Sequence, residues 1–276
     1  MDEEQKTNII NSVKDGIVDA IRGVGDVAGA IVDVVSGTLV KTLKGTRAVG
    51  SEASSLVVDT VTGAVQGAVK VGAEIGSAAK ATLIGVLKGS KEVGATAVDT
   101  ISSSASALIR STADVGGDVA NTAKGAVEGA IVVAKEAGVG VAEAASTAAT
   151  AVVKSASAVG FEIGSVAKAA LVGVLHGTKE VGVSALDTIS SSAGAVVRAA
   201  ADTGGDLANT AKKAVEGSIA AAKDLGVDAA EAASAAATGA IKAAGDISAS
   251  AGEQVRNAVT GTISGVKVII KEPFKK

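Results

Sequence analysis

The sequence predicts an all-α protein, and three observations carry that prediction. An eleven-residue period runs through almost the whole chain without a slip, charge is confined to certain columns of that period, and the one proline lies beyond it, at Pro273. Eleven residues in three turns is about 3.67 per turn, close to the natural pitch of an α-helix. A strand period of two would scatter the charges over both faces.

The repeat is visible first as an octapeptide: LKGTRAVG at 43–50, LKGSKEVG at 87–94 and LHGTKEVG at 175–182. Both intervals are multiples of eleven. Residues 73–160 match residues 161–248 at roughly 55 of 88 positions, an 88-residue super-repeat. Cut into blocks of eleven from Asn8, the chain runs through 24 blocks to Lys271 with no insertion. Residues 1–7 are expected to form an N-terminal tail, 8–271 a continuous helix, and 272–276 a C-terminal tail that starts where Pro273 stops the helix.

Within the blocks every Asp, Glu, Lys and Arg falls at position 1, 4, 7, 8 or 11, although 20% of all residues are charged. Positions 2, 3, 5, 6, 9 and 10 are contiguous on the helical wheel and cover about half its circumference. Glycine keeps the same count: Gly50, Gly72, Gly94, Gly116, Gly138, Gly160, Gly182, Gly204 and Gly226 all stand at position 10. Each glycine costs a helix up to about 1 kcal/mol relative to alanine, so contact with other helices must compensate. The pattern predicts one very long helix, about 400 Å from end to end at 1.5 Å per residue. The alternative is a hairpin of shorter helices bent at the Gly-Gly pairs 116–117 and 204–205.

A helix with half its surface uncharged wants neighbours. Small residues at the centre of the arc let backbones approach, while larger shoulders such as Leu87, Ile109, Val153, Leu175 and Val197 fill the grooves between. Every charge at position 7 is basic, among them Lys80, Lys91, Lys124, Lys135, Lys168, Lys179, Lys212 and Lys223. Position 8 carries mainly acids, among them Glu92, Asp114, Glu136, Glu180, Asp202 and Asp224. A basic flank beside an acidic one suits parallel helices that offer lysines to a neighbour's carboxylates. The arc is wider than a dimer seam, so the expected assembly is a right-handed or nearly straight coiled coil of parallel copies in a multi-helix bundle, barrel or filament.

These features resemble hendecad coiled-coil proteins along essentially the whole chain. HGTKEVG and KGSKEVG are also similar to the eleven-residue repeats of synucleins and perilipins, and AEAASTAATAVVKSA at 142–156 to those of group 3 late-embryogenesis proteins. Those resemblances imply lipid-surface binding or protection during drying.

Composition narrows the function. Two Phe, no Trp or Tyr, and 47% hydrophobic residues dominated by small ones exclude an ordinary aromatic-filled core. A net charge of −3 offers nothing to a nucleic acid. Cysteine is absent, so disulfides and thiolate metal sites are excluded. Mean hydropathy is high at +0.44, yet charges interrupt every stretch long enough to span a bilayer. The acidic N-terminus does not resemble a signal peptide, so a cytoplasmic location, or one peripheral to an intracellular surface, is expected.

No catalytic chemistry emerges. His176 is the lone histidine, the serine runs ISSSAS (101–106) and ISSSAG (189–194) have no base beside them, and DVGGDVAN follows no strand. No enzyme, cofactor or metal is expected. The expected function is a structural protein that assembles with itself into a long tube, stalk or filament, with an apolar lumen where the number of helices is large. The alternative is a peripheral coat on lipid droplets, storage granules or membranes, with lipid as the partner.

Overall fold

A computed structural model describes residues 3–24, 26–46, 51–92 and 97–270. The all-α expectation holds, but the continuous helix does not. Among the described residues the chain forms twelve short helices and one β-hairpin. They are α1 (Glu3–Val24), α2 (Val27–Thr46), α3 (Ser51–Lys70), α4 (Ile75–Glu92), α5 (Ala97–Asp114), α6 (Val119–Ala137), α7 (Val141–Ala158), α8 (Ile163–Glu180), α9 (Leu186–Asp202), α10 (Leu207–Leu225), α11 (Ala229–Ile247) and α12 (Ala249–Val259), followed by β1 (Gly261–Ile263) and β2 (Val266–Val268). None of the described helices is long and apolar enough to cross a membrane.

The helix is broken by its own period. Gly116 adopts a left-handed φ of 68°, its N–H bonds the Ala113 carbonyl at 3.0 Å, and the Gly117 N–H bonds the Thr112 carbonyl at 2.8 Å. That pair of bonds closes a helix C-terminus and favours glycine at the left-handed residue. Two residues after the left-handed glycine comes Asp118, whose Oδ1 accepts the Asn121 N–H at 3.0 Å and so caps the next helix. Gly72, Gly160, Gly182, Gly204 and Gly226 close helices with the same bonds, and Gly138 shares the left-handed φ. Glu74, Glu162, Asp206 and Asp228 cap the helices that follow. About 18 helical residues and about four turn residues make 22, so the turns closed by these glycines preserve the eleven-residue frame.

The helices stack in two layers. Each helix from α1 to α11 packs most extensively on a next-but-one neighbour and less on its immediate ones, so odd-numbered helices form one layer and even-numbered helices the other, while α12 packs chiefly on α11. Neighbours within a layer are parallel: Gly125 of α6 lies against Gly76 of α4, and Gly129, four residues on, against Lys80. The approach is close enough to exclude side chains. A Cβ built on Gly125 would stand 1.9 Å from the Gly76 carbonyl oxygen, and one on Gly239 of α11 would stand 1.9 Å from the Ser190 oxygen of α9. The charge-free arc is therefore buried against the same chain, with Leu87, Ile109, Val153, Leu175 and Val197 all in the core.

One column runs through every seam. At steps of 22 it reads Gly63, Gly85, Ala107, Gly129, Ala151, Gly173, Ala195, Gly217 and Gly239, and all six of its glycines press on the preceding helix of their layer. In α1 and α2, the first described helix of each layer, the same column holds Asp19 and Lys41, both exposed. Charge there closes the stack at its N-terminal end, as terminal repeats of stacked proteins do.

The C-terminal end departs from the helical expectation. After Val259 the chain turns into the hairpin, pairing Ile263 with Val266 around Ser264 and Gly265, which have φ of 50° and 78°. Two consecutive positive φ values fit a two-residue hairpin turn. The hairpin and α12 pack on α11, and α12 also on α10. The expected tail at 272–276 lies outside the described residues.

Two glycine substitutions test this packing with opposite signs. Gly125→Ala must displace the α4 backbone and is expected to lower the melting temperature, at a cost of about 1–3 kcal/mol. Gly37→Ala, mid-helix in α2 with nothing within 4 Å of the added Cβ, should raise it through helix propensity, by up to about 1 kcal/mol. Thermal unfolding followed by circular dichroism measures both.

Candidate interaction surface

With the apolar arc turned inward, what remains outside is charge, and the two layers differ in it. Helices α4, α6, α8 and α10 carry ten lysines against six acids. Helices α5, α7, α9 and α11 carry four bases against seven acids. Lys80, Lys124, Lys168 and Lys212 recur at the same place in successive even helices, and Lys91, Lys135, Lys179 and Lys223 recur in their last turns. Both rows advance one helix spacing at a time, about 8–10 Å.

The charged residues singled out by sequence serve several ends here. Lys80 pairs with Glu180 of α8 and lies 3.9 Å from Glu128 of α6. Lys124 lies 3.8 Å from Glu128 on its own helix. The ammonium groups of Lys179 and Lys223 donate to the carbonyls of Leu225 and Ser264, at 2.7 and 2.8 Å. Glu136 is paired by Lys88 at 3.9 Å and Asp202 by Lys154 at 2.7 Å, so position-4 bases, which the sequence reading left out, reach acids on the next helix of their layer. Arg198 and Asp246 repeat that pairing at 3.4 Å. Lys91, Glu92, Asp114, Lys135, Lys168, Lys212 and Asp224 sit exposed on helix surfaces. Of the glycines, Gly72, Gly116, Gly138, Gly160, Gly182, Gly204 and Gly226 stand at turns, while Gly50 and Gly94 lie outside the described residues.

The densest charge cluster gathers around Glu128, between α4, α6 and α8. Its side chain is only 12% exposed, its Oε1 has no hydrogen-bond partner, and His176 Nδ1 stands 3.7 Å from that oxygen. Burial pushes the Glu128 carboxyl above the usual range, against the pull of Lys124 and Lys80. Burial, with Lys124 next, holds His176 below its ordinary value, so it is neutral at pH 7 and supplies no countercharge. The sequence reading missed this pairing because the two residues are 48 apart and only stacking brings them together. Among the described residues no group of His and acids could hold a metal ion.

Two grooves cross the odd layer, lined by the serine runs. The larger, of about 430 Å³, runs between α7 and α9 with Ser102 of α5 at its edge; the smaller, of about 230 Å³, lies between α9 and α11. No protein-family model matches this chain, and no curated protein matches it.

The Glu128 carboxyl gives a signed expectation for pH. Burial raises its pKa in the folded state, so above that raised value the ionised carboxylate costs stability. As pH falls through the raised value the folded protein takes up the proton first, and that cost is relieved. Glu162 acts oppositely: hydrogen bonding from Ser165 lowers its pKa, and its contribution is lost as pH falls through that lowered value. Glu128→Gln is therefore expected to raise the melting temperature at pH 7.5, with the gain shrinking toward pH 5. A lower melting temperature at pH 7.5 would mean the lysine contacts outweigh burial.

Proposed function

We propose that the protein is a non-enzymatic structural scaffold: a stack of helix pairs that associates side by side with copies of itself. The observation that carries this reading is the contrast between the layers. A lysine-rich even face and an acid-rich odd face belong to one chain and share one pitch, so the even face of one copy meets the odd face of another in register along its length. Such complementarity steers orientation more than it adds affinity. Each exposed pair contributes under about 1 kcal/mol, so association depends on many repeats acting together.

The ends favour lateral over end-to-end growth. Asp19 and Lys41 occupy the seam column of the first two helices, where another repeat would need a small residue. The last helices are covered by α12 and the hairpin. Lipid coating, the second reading from sequence, draws less support, since the exposed apolar side chains are scattered: Val115, Val159, Phe161, Leu186, Val227, Ile247 and Ile269 stand at separate turns and ends of elements, and Val58 and Val69 lie on α3.

Sedimentation at two ionic strengths tests the proposal. At about 20 mM salt the protein should sediment as species heavier than the 26.3 kDa chain; at about 500 mM, where the screening length falls to a few Å, it should return to the monomer. A monomer under both conditions that binds anionic vesicles would transfer support to the coat.

A further inference from the structure

The two grooves of the odd layer are one site repeated. Moving along the chain by 44 residues converts the lining of the first into that of the second: Ser102 to Ser146, Ser146 to Ser190, Thr147 to Ser191, Thr150 to Gly194, Ala195 to Gly239 and Arg198 to Lys242. The differences concern charge and bulk. The first groove is also lined by two acids, Glu143 and Asp202, the latter paired with Lys154. The second is lined by Arg198 and Lys242 with no acid. Arg198 reaches Asp246, but that aspartate is not part of the lining. Lys242 makes no ion pair with a described residue, because the stack has no further odd helix to supply the acid that Lys154 and Arg198 each receive.

The floor of the second groove is shaped for something small. Gly194 and Gly239 leave it without side chains where the first has threonine and alanine. Ser146, shared by both grooves, has a buried Oγ with no hydrogen-bond partner. A buried hydroxyl left unpaired costs free energy that a ligand oxygen would recover. Three serine hydroxyls, a guanidinium and an ammonium around about 230 Å³ offer donors in several directions and two positive charges. That volume lies below the range of drug-sized pockets.

We infer that the groove between α9 and α11 binds a phosphate group, free or as the end of a small phosphate monoester, through Ser146, Ser190, Ser191, Arg198 and Lys242. A tetrahedral dianion uses what the site offers: charge-assisted bonds from two cations and hydroxyl donors for its remaining oxygens. The site does not rest on self-association, but it opens on the odd face, so an associated copy would compete with the ligand for it.

The test is calorimetric titration of the full chain with inorganic phosphate in a phosphate-free buffer, at the lowest salt concentration at which sedimentation shows a monomer. Saturable binding at one site per chain is expected. Lys242→Gln and Arg198→Gln should each weaken it about tenfold or more, and Ser146→Ala should weaken it less. Lys154→Gln removes the equivalent base one repeat upstream, which lines neither groove, and should leave binding unchanged. Circular dichroism of each variant separates loss of binding from loss of fold. A parallel titration with glycerol phosphate distinguishes the two sources: tighter binding assigns a monoester, equal or weaker binding the free ion. Absence of saturable binding, binding that survives Lys242→Gln, or equal loss in Lys154→Gln overturns the assignment.

Discussion

Where Gly125 of α6 meets the Gly76 carbonyl of α4 there is no room for a methyl group, and comparable contacts recur from α3 to α11. This approach of backbone to backbone is the constraint on which the rest of the structure depends. It explains why a protein with almost no aromatic side chains has a core at all, since small residues bring helices close and dispersion then acts over many short contacts. It also explains the tolerated glycines: their cost in helix propensity is offset by packing that no larger residue permits.

The second constraint is arithmetic. Eighteen residues make about five helical turns, and the four-residue turn restores the frame, so each helix presents the same columns as the one before. Successive helices alternate between layers, which makes the full repeat a pair of helices and 44 residues. The layers are then free to diverge in their outward residues, and they have: lysine rows on one, hydroxyl-lined grooves and acids on the other. A single repeat thus fixes the core while leaving two long surfaces open to different uses.

Much of this was legible in the sequence. The helical class, the charge-free arc and the 44- and 88-residue repeats followed from counting. What the arc touches did not, because a continuous helix and a train of helices with phase-preserving turns produce the same columns. The discriminating signal was local: a position-10 glycine followed two residues later by an acid, as in Gly116, Gly117, Asp118, joins a helix stop to a helix start. The position-1 acids Glu74, Asp118, Glu162, Asp206 and Asp228 cap helices for that reason. The closing of the stack by Asp19 and Lys41 was likewise readable as two charges in a column otherwise of glycine and alanine. Glu128 beside His176 was not, since nothing in a spacing of 48 shows that residues on different helices face one another. The final hairpin was hidden by the frame, which runs on through TISGVKV although its β-branched alternation around Ser264 and Gly265 belongs to strands.

The distance between residues 88 and 136 separates the stack from a continuous helix most directly. Both side chains are about half exposed and form a cross-helix pair, and the protein has no cysteine of its own, so Lys88→Cys and Glu136→Cys accept spin labels at those two places alone. On a stack of parallel helices, pulsed electron spin resonance should report about 10–20 Å, the helix spacing plus the label arms. A distance near 70 Å, the length of 48 residues of unbroken helix, would contradict the fold and everything built on it.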